Sequence, residues 1–210
     1  MTENELIINS NNSDCFAIVL RHSIREEIKD ATQSQHQLLT DEGKELAVDF
    51  GSKLPITKKI RLFHSHVKRC EETAICIKQG FKGEVSDIIV HNSLTGFYLL
   101  NPEPILRDVN KIGGYKFISN WFSDFYPDNQ LMRALNARKQ MTDYIIQNFD
   151  KNYLDIYVTH DWNIVLLLSH RYKVIENNYL WPNYMNGVSF ENTKNEFSIC
   201  FDINTKIKIS

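Results

Sequence analysis

Cationic and imidazole side chains directly follow three strand-like runs of the sequence. The runs are FAIVL before Arg21-His22, IRLF before His64-Ser65-His66, and LDIYV before Thr159-His160-Asp161. Ligands of open α/β sheets bind at the carboxyl ends of the strands. If the three runs are neighbouring parallel strands, their polar ends therefore meet at one crevice.

The groups that would meet there carry mostly positive charge. They are Arg21, Arg25, Arg69, His22 and His160. Such cations repel each other unless an anion lies among them, and the planar fork of arginine fits the oxygens of a phosphate. A helix that opens near Val67 would add its N-terminal amides. We therefore expect a pocket for a small phosphorylated substrate.

Two histidines in a phosphate pocket suggest two separate roles. A neutral imidazole is a nucleophile, and cationic neighbours disfavour its protonation. A protonated imidazole instead donates to the phosphoryl oxygens and stabilises the charge of the transition state. Transfer from an alcohol also needs a general acid, and Asp161, beside His160, is the nearest carboxyl group in the sequence.

The elements that must position these residues alternate between strand and helix patterns. Thr40 followed by Asp41 and Glu42 predicts a helix start, and apolar residues at helical spacing continue to Pro55. Further helices are predicted after each later strand, and strand-like pieces (GVSFE, FSICF and TKIKI) end the chain. This order predicts an α/β fold: a three-layer sandwich with a mostly parallel central sheet, helices on both faces and antiparallel C-terminal edge strands.

The chain shows no repeat and no interdomain linker, which predicts one domain. Residues 1–15 are polar and rich in asparagine and are expected to form an N-terminal tail, with the domain spanning 16–210. Residues 96–149 are expected to form an inserted cap or lid. Within it, the two prolines of 96–109 predict an irregular segment.

Four motifs together resemble the histidine phosphatase superfamily, which has the phosphoglycerate mutase-like fold. In chain order they are LRHSIR, LTDEGKELA, FHSHVKRCEETA and VTHDWNI. The family's own signatures are Arg-His-Gly after the first strand, a Leu-Thr-x-x-Gly helix start, a Ser-x-x-x-Arg-x-x-x-Thr-Ala helix and a late histidine. The resemblance covers most of residues 16–168. It implies a phosphomonoester hydrolase that acts through a covalent phosphohistidine intermediate.

The resemblance also implies roles for single residues. His22 would become the phosphohistidine, and Arg21, Arg69 and His160 would complete the phosphate pocket. The Arg-His-x-x-Arg spacing that includes Arg25, together with the His160-Asp161 pair, is similar to the acid phosphatase branch, where the aspartate is the proton donor.

Other features of the sequence keep alternatives open. In the mutase-like branch the donor is a glutamate from the middle of the chain, for which Glu84 and Glu103 are the candidates. One alternative is therefore a phosphoglycerate mutase-type phosphotransferase. Another is a non-catalytic phospho-ligand binding protein with the same fold. Ser23 stands where the family has glycine, and the sequence offers no reason for it.

A metal-dependent hydrolase is a rival hypothesis from a different class. His64 and His66, together with His160-Asp161, could ligate a metal ion. Two arginines close to a divalent cation would repel it, so we expect neither a metal nor another cofactor. We expect no role in the site for His36, His91 and His170.

Composition narrows the possible partners and the compartment. The 210 residues are 42% hydrophobic and 24% charged, with a net charge of −2, which disfavours a binder of nucleic acid or of anionic membranes. The N-terminus lacks the pattern of a signal peptide, and no apolar run approaches the length of a membrane span. The four cysteines form no C-x-x-C pair and are expected to be free thiols. We therefore expect a cytoplasmic protein.

Overall fold

Seven strands form one mixed sheet in the computed structural model, which describes residues 1–169 and 181–209. They are β1 (Cys15–Arg21), β2 (Lys59–His64), β3 (Val85–Val90), β4 (Tyr153–Thr159), β5 (Gly187–Thr193), β6 (Glu196–Asp202) and β7 (Thr205–Lys208). Their spatial order is β3-β2-β4-β1-β5-β6-β7. The first four strands of that order are parallel, and β5, β6 and β7 continue antiparallel from β1. The predicted α/β fold with antiparallel C-terminal edge strands is confirmed.

Helices cover both faces of this sheet. Those of the described residues are α1 (Glu3–Ser10), α2 (Asp41–Lys53), α3 (Lys68–Gly80), α4 (Pro102–Ile112), α5 (Gly114–Phe122), α6 (Ala134–Gln147) and α7 (Asp161–Leu168). Successive side chains of a strand point to opposite faces. Ile18 and Leu20 of β1 accordingly pack in a core with α1, α2 and α3, whereas Val19 packs in a second core with α6 and α7. The predicted three layers follow from this alternation.

The parallel pairing places the carboxyl ends of three strands side by side. Arg21, the last residue of β1, lies in register with Thr159 of β4. His64, the last residue of β2, lies in register with Val158. The residues that follow β1, β2 and β4 therefore start from one edge of the sheet.

The predicted helix start at Thr40 is confirmed. The hydroxyl oxygen Oγ1 of Thr40 accepts a hydrogen bond from the backbone N–H of Gly43 at 3.0 Å, and α2 begins at the next residue. This contact satisfies one of the N–H groups that a helix leaves unpaired in its first turn.

The structure differs from the sequence-based expectation in the segment 96–109, which is not irregular throughout. Residues 102–112 form α4, with Pro102 as its first residue and Pro104 two positions later. Prolines are tolerated in the first turn of a helix, where the missing N–H has no partner to lose. The two prolines start this helix rather than break it.

Residues 3–10, inside the segment expected to be a polar tail, form α1. The helix begins with a capping box, in which the hydroxyl of Thr2 and the carboxylate of Glu5 satisfy each other's backbone N–H groups. Leu6 is fully buried in the core beside β1. The sequence pattern did not predict this helix, because its composition is polar and only one of its apolar side chains is completely buried.

All four cysteines lie in the described residues, and all are buried free thiols, as expected. None of the helices within residues 1–169 and 181–209 is long and apolar enough to cross a membrane.

Candidate active site

His22 is the first residue after β1, and two hydrogen bonds to backbone carbonyl oxygens fix its position. Its backbone N–H donates to the carbonyl oxygen of Thr159 at 2.8 Å, and its side chain is buried. Its Nδ1 lies 2.8 Å from the carbonyl oxygen of Ser23. A carbonyl oxygen can only accept, so Nδ1 carries the proton in the neutral imidazole. The unprotonated nitrogen of His22 is therefore Nε2.

Arg69, in the first turn of α3, contacts both histidines. Its Nε donates to Nε2 of His22 at 2.9 Å, and its Nη2 lies 3.2 Å from Nδ1 of His160. The guanidinium is buried rather than exposed on the helix surface. Glu72, which could have paired with it in an exposed arrangement, instead accepts from the backbone N–H of Leu39. The structure therefore brings Arg69 to the crevice.

His160 is the residue that precedes α7, and its two ring nitrogens have different partners. Nη2 of Arg69 can only donate, so Nδ1 of His160 accepts and Nε2 carries the proton. Nε2 then donates to the hydroxyl oxygen Oγ of Ser65 at 2.9 Å. The imidazole rings of His22 and His160 lie 5.6 Å apart, centroid to centroid.

Ser65 is a residue of this site whose role the sequence patterns miss. Its Oγ accepts from His160 and also from the backbone N–H of Val67 at 3.2 Å. Ser65 is fully buried at the turn between β2 and α3. The serine of the motif FHSHVKRCEETA could have indicated this residue. Its partner His160 lies 95 residues away in the chain, so no local pattern predicts their contact.

Asp161 and Arg21 form the ion pair of the site. Nη2 of Arg21 lies 3.1 Å from Oδ2 of Asp161, and the other carboxylate oxygen accepts from the backbone N–H of Trp162. Nη1 of Arg21 donates to the carbonyl oxygen of Pro182 at 2.8 Å. The guanidinium carbon of Arg21 also lies 4.2 Å from the ring centroid of Tyr184. The segment 181–185 is thus a second part of the site that sequence patterns do not indicate.

The electrostatics of the cluster disfavour protonated imidazoles. Burial, and then the charge of Arg69, hold the pKa of both His22 and His160 well below the usual value. Burial also lowers the pKa of the Arg69 guanidinium. The carboxylate of Asp161 pairs with Arg21. The arrangement therefore holds an excess of positive charge around a neutral Nε2 of His22, which suits an anion.

Arg25 lies at the edge of this cluster. It is half-buried, and its Nη1 donates to the backbone carbonyl oxygen of Glu26 at 2.5 Å. Burial lowers the pKa of Arg25, and the positive charge of Arg21 lowers it further. Within the described residues, Arg25 makes no hydrogen bond to His22, Arg69 or His160.

Ser23 is held by its backbone rather than by its side chain. Its carbonyl oxygen accepts from Nδ1 of His22, and its N–H donates to Oγ1 of Thr73 at 3.1 Å. Its own hydroxyl is buried and has no hydrogen-bond partner among the described residues. Nothing in the structure explains why serine replaces glycine there.

The two alternative glutamates lie away from the crevice. Glu84 pairs with Lys59, the first residue of β2, at the amino edge of the sheet. The six residues of β2 put roughly 16 Å between that edge and the carboxyl edge. Glu103 is exposed in the first turn of α4 and pairs with Arg107. Neither glutamate contacts His22, Arg69 or His160.

None of the other histidines in residues 1–169 makes a hydrogen bond to His22, Arg69 or His160. Nδ1 of His64 bonds to the carbonyl oxygen of Ser65, and Nδ1 of His66 lies 3.1 Å from Oγ1 of Thr95. Within the described residues, no group of three or more histidine, cysteine or acidic side chains could hold a metal ion. His91 stacks on Tyr144, and His36 is exposed. His170 lies outside the described residues.

The loop between β1 and α2 covers part of the cluster. It contains a short 3-10 helix, Ala31–His36, in which the backbone carbonyl oxygen of Ser34 accepts from Nη1 of Arg69. Asn110 of α4 accepts from the backbone N–H of Ala31 and donates to Asp30. The loop is therefore tied both to the cluster and to the segment 96–149.

Comparison with solved structures identifies the fold. The chain superposes on YhfR of Bacillus stearothermophilus with a TM-score of 0.60 and 18% identity, over 90% of this chain and 97% of that one. It superposes on a putative α-ribazole-5′-phosphate phosphatase of Escherichia coli with a TM-score of 0.53 and 14% identity, covering 85% and 91%. A mutant phosphoserine phosphatase of Entamoeba histolytica in complex with phosphoserine gives 0.51 and 15%, covering 92% and 94%.

No protein-family model and no curated protein sequence matches the chain. The likeness is therefore one of three-dimensional structure, and it agrees with the four sequence motifs and with the strand order of the sheet. The chain has the fold of the histidine phosphatase superfamily.

Proposed function

We propose that this protein is a phosphomonoester hydrolase that acts through a covalent phosphohistidine at His22. The observation that carries the proposal is the state of Nε2 of His22. The bond from Nδ1–H to Ser23 fixes this nitrogen as the unprotonated one, and burial and Arg69 keep the ring neutral. A neutral imidazole nitrogen surrounded by guanidinium groups is a nucleophile aimed at an anion.

The first step transfers the phosphoryl group. Nε2 of His22 attacks phosphorus, the bond from phosphorus to the ester oxygen breaks, and the leaving oxygen takes a proton from Asp161. Arg21 and Arg69 hold the phosphoryl oxygens, and Arg25 contributes positive charge from the edge of the site. His160 joins them as a donor through Nδ1 once the charge of the bound phosphate dianion favours protonation of its ring. Asp161 must carry a proton when the ester binds, and a bound phosphate dianion would favour this because two adjacent negative charges repel.

The second step releases phosphate. Water attacks phosphorus, the bond from phosphorus to Nε2 breaks, and the carboxylate of Asp161 accepts the proton of the water. The enzyme returns to its starting state with inorganic phosphate as the product. Every protein group that takes part in this cycle is a side chain of this chain.

Trapping phosphate on His22 tests the proposal. The protein is mixed with radiolabelled aryl phosphate, quenched in base within milliseconds and digested, and we expect acid-labile, base-stable label on the peptide that contains His22. A His22→Ala variant should carry no label and lose at least about 10³-fold in kcat/KM. His91→Asn, which keeps a capping side chain at a histidine outside the cluster, is the matched control.

Full activity of His22→Ala would overturn the phosphohistidine mechanism. Label without net release of phosphate to water would favour the mutase alternative, and binding without label would favour the non-catalytic one. Excess EDTA should leave the rate unchanged, whereas a metal-dependent hydrolase would lose activity.

A further inference from the structure

Two arginine–aspartate pairs of this protein differ in how the guanidinium meets the carboxylate. Arg61 and Asp155 form a complete fork, in which Nε donates to Oδ1 at 2.7 Å and Nη2 donates to Oδ2 at 2.8 Å. Arg21 and Asp161 are joined only through Nη2, which lies 3.1 Å from Oδ2. The two parallel bonds of a fork are the stronger arrangement for such a pair. The pair in the active site is therefore kept from its strongest geometry.

The nitrogen left out of this second pair is Nε of Arg21. It is buried and has no hydrogen-bond partner among the described residues. The residue as a whole is only 8% exposed, so water reaches it poorly. A buried donor without an acceptor is unfavourable, which points to an acceptor that arrives with a ligand. An oxygen of a bound phosphate is such an acceptor.

A short segment before β5 holds Arg21 from several sides. The backbone N–H of Arg21 donates to the carbonyl oxygen of Asn186 at 2.9 Å, and its carbonyl oxygen accepts from the N–H of Met185 at 3.1 Å. Its Nη1 donates to the carbonyl oxygen of Pro182 at 2.8 Å. The ring of Tyr184 lies over the guanidinium, with 4.2 Å between the guanidinium carbon and the ring centroid. A guanidinium stacked on an aromatic face is restricted in its rotation.

The backbone beside Tyr184 has a conformation that is rare for its residue type. Met185 has a φ angle of 59°, and its side chain is fully buried in the core. A left-handed backbone is unfavourable for methionine, and such residues concentrate at functional sites, where the surrounding structure holds them. Here the side chain of Met185 enters the core while the ring of Tyr184 stays over Arg21, 5.8 Å from the ring of His22.

We propose that Tyr184 is a positioning residue of the phosphate site, which keeps the Nε–H of Arg21 free for a phosphate oxygen by preventing the guanidinium from closing on Asp161. Without the ring, the guanidinium would turn until Nε and Nη2 both meet the carboxylate, as they do between Arg61 and Asp155. A phosphate would then have to break that fork in order to bind. The inference rests on the proposed function, because it takes the ligand of the cluster to be a phosphate.

Calorimetry of the full chain with inorganic phosphate tests this inference without chemistry. Tyr184→Leu should raise the dissociation constant about tenfold, because the aromatic face over the guanidinium is lost. Tyr184→Phe keeps that face and should bind phosphate within about twofold of the unmodified protein. No loss in Tyr184→Leu, or an equal loss in both variants, would overturn the inference.

The same substitution in an Asp161→Asn background separates positioning from a general structural role. The asparagine has no charge on which the guanidinium would close, so Tyr184→Leu should there change the dissociation constant by less than about twofold. An equal loss in both backgrounds would show a merely structural role and overturn the inference.

Tyr153→Leu is the matched control for Tyr184→Leu. The ring of Tyr153, the first residue of β4, lies 4.7 Å from the guanidinium carbon of Arg61, so the variant removes the same kind of contact from another arginine. It should leave the dissociation constant of phosphate unchanged. A tenfold rise in this control as well would contradict a specific role for Tyr184.

Labelling of His22 separates failure of this inference from failure of the proposed function. If His22 takes up label while Tyr184→Leu weakens phosphate binding equally in both backgrounds, the phosphatase proposal stands and the inference fails. If the loss depends on Asp161 as expected but no label forms, Tyr184 stands as a positioning residue of an anion site and the phosphatase proposal fails.

Discussion

Nε of Arg69 donates a hydrogen bond to Nε2 of His22 at 2.9 Å. The nitrogen that we propose as the nucleophile is therefore the acceptor of a guanidinium N–H in this structure. A phosphate oxygen that takes over this N–H would place phosphorus beside the freed lone pair of Nε2. The same guanidinium reaches His160. One arginine side chain therefore sets the relative position of the two histidines and would also help to bind the substrate.

Asp161→Asn should separate general-acid catalysis from phosphate binding. We expect kcat/KM to fall about 10²- to 10³-fold for an alkyl phosphate, whose leaving oxygen needs a proton. For 4-nitrophenyl phosphate the fall should stay within about tenfold, because nitrophenolate leaves without protonation. Steady-state kinetics on both substrates measure the difference.

Glu84→Gln and Glu103→Gln are the matched controls for that experiment. Both side chains are exposed ion-pair partners away from the crevice, so both variants should keep the activity of the unmodified protein. A substrate-dependent loss in either variant, with Asp161→Asn unaffected, would move the acid to a glutamate as in the mutase-like branch.

Ser65→Ala should weaken catalysis through the orientation of His160. The variant leaves the Nε2–H of His160 without its acceptor, so we expect kcat to fall about tenfold while KM changes little. The pH profile of kcat should also change. The hydroxyl of Ser65 favours the tautomer of His160 that carries its proton on Nε2 and leaves Nδ1 free to accept from Arg69. Ser65→Thr, which keeps a hydroxyl, should restore part of the rate. An unchanged pH profile in an active Ser65→Ala variant would contradict this positioning role.

Arg25 and Arg69 should differ in their contribution to anion binding. Arg69→Ala removes a buried guanidinium that contacts both histidines, and we expect the inhibition constant of inorganic phosphate to rise by at least about 10²-fold. Arg25→Ala removes a half-buried charge at the edge, with an expected rise of about tenfold or less. The exposed Arg107→Ala is the control and should change nothing. If Arg25→Ala matched the loss in Arg69→Ala, Arg25 would belong to the centre of the pocket.

The free energy of unfolding should decrease as pH falls below about 6.5, the ordinary pKa of histidine in the unfolded chain. His22 and His160 have pKa values well below that in the folded protein, because burial and Arg69 disfavour their charged forms. The unfolded chain then binds more protons than the folded protein, so stability rises with pH up to about 6.5 and gains nothing further from these groups above it. Each histidine contributes a slope of at most about 1.4 kcal/mol per pH unit.

Urea unfolding at pH 7.5, 6.5 and 5.5, in buffers without phosphate, measures this dependence. A His22→Gln/His160→Gln double variant should show a smaller decrease between pH 6.5 and 5.5. An identical decrease in both proteins would show that other groups account for it.

Sequence patterns predict the strands and helices well where the period of the apolar residues is clear. The apolar runs that end at Leu20, Phe63 and Val158 all proved to be strands of the parallel part of the sheet. The patterns fail for α1 and α4. In α1 a polar composition hides one buried leucine, and in α4 two prolines that start the helix resemble helix breakers.

Local patterns were enough to identify the side chains that could form a phosphate site, because short strand-like runs and the polar residues after them are local features. They placed Arg21, His22, Arg69 and His160 at the ends of strands or in the first turn of a helix. The hydrogen-bond partners of these side chains, by contrast, depend on the folded chain. The contacts from Arg69 to both histidines, from Ser65 to His160 and from Pro182 to Arg21 join residues between 47 and 161 positions apart. Such pairs depend on strand order and loop paths, which the whole sheet sets and no local pattern encodes.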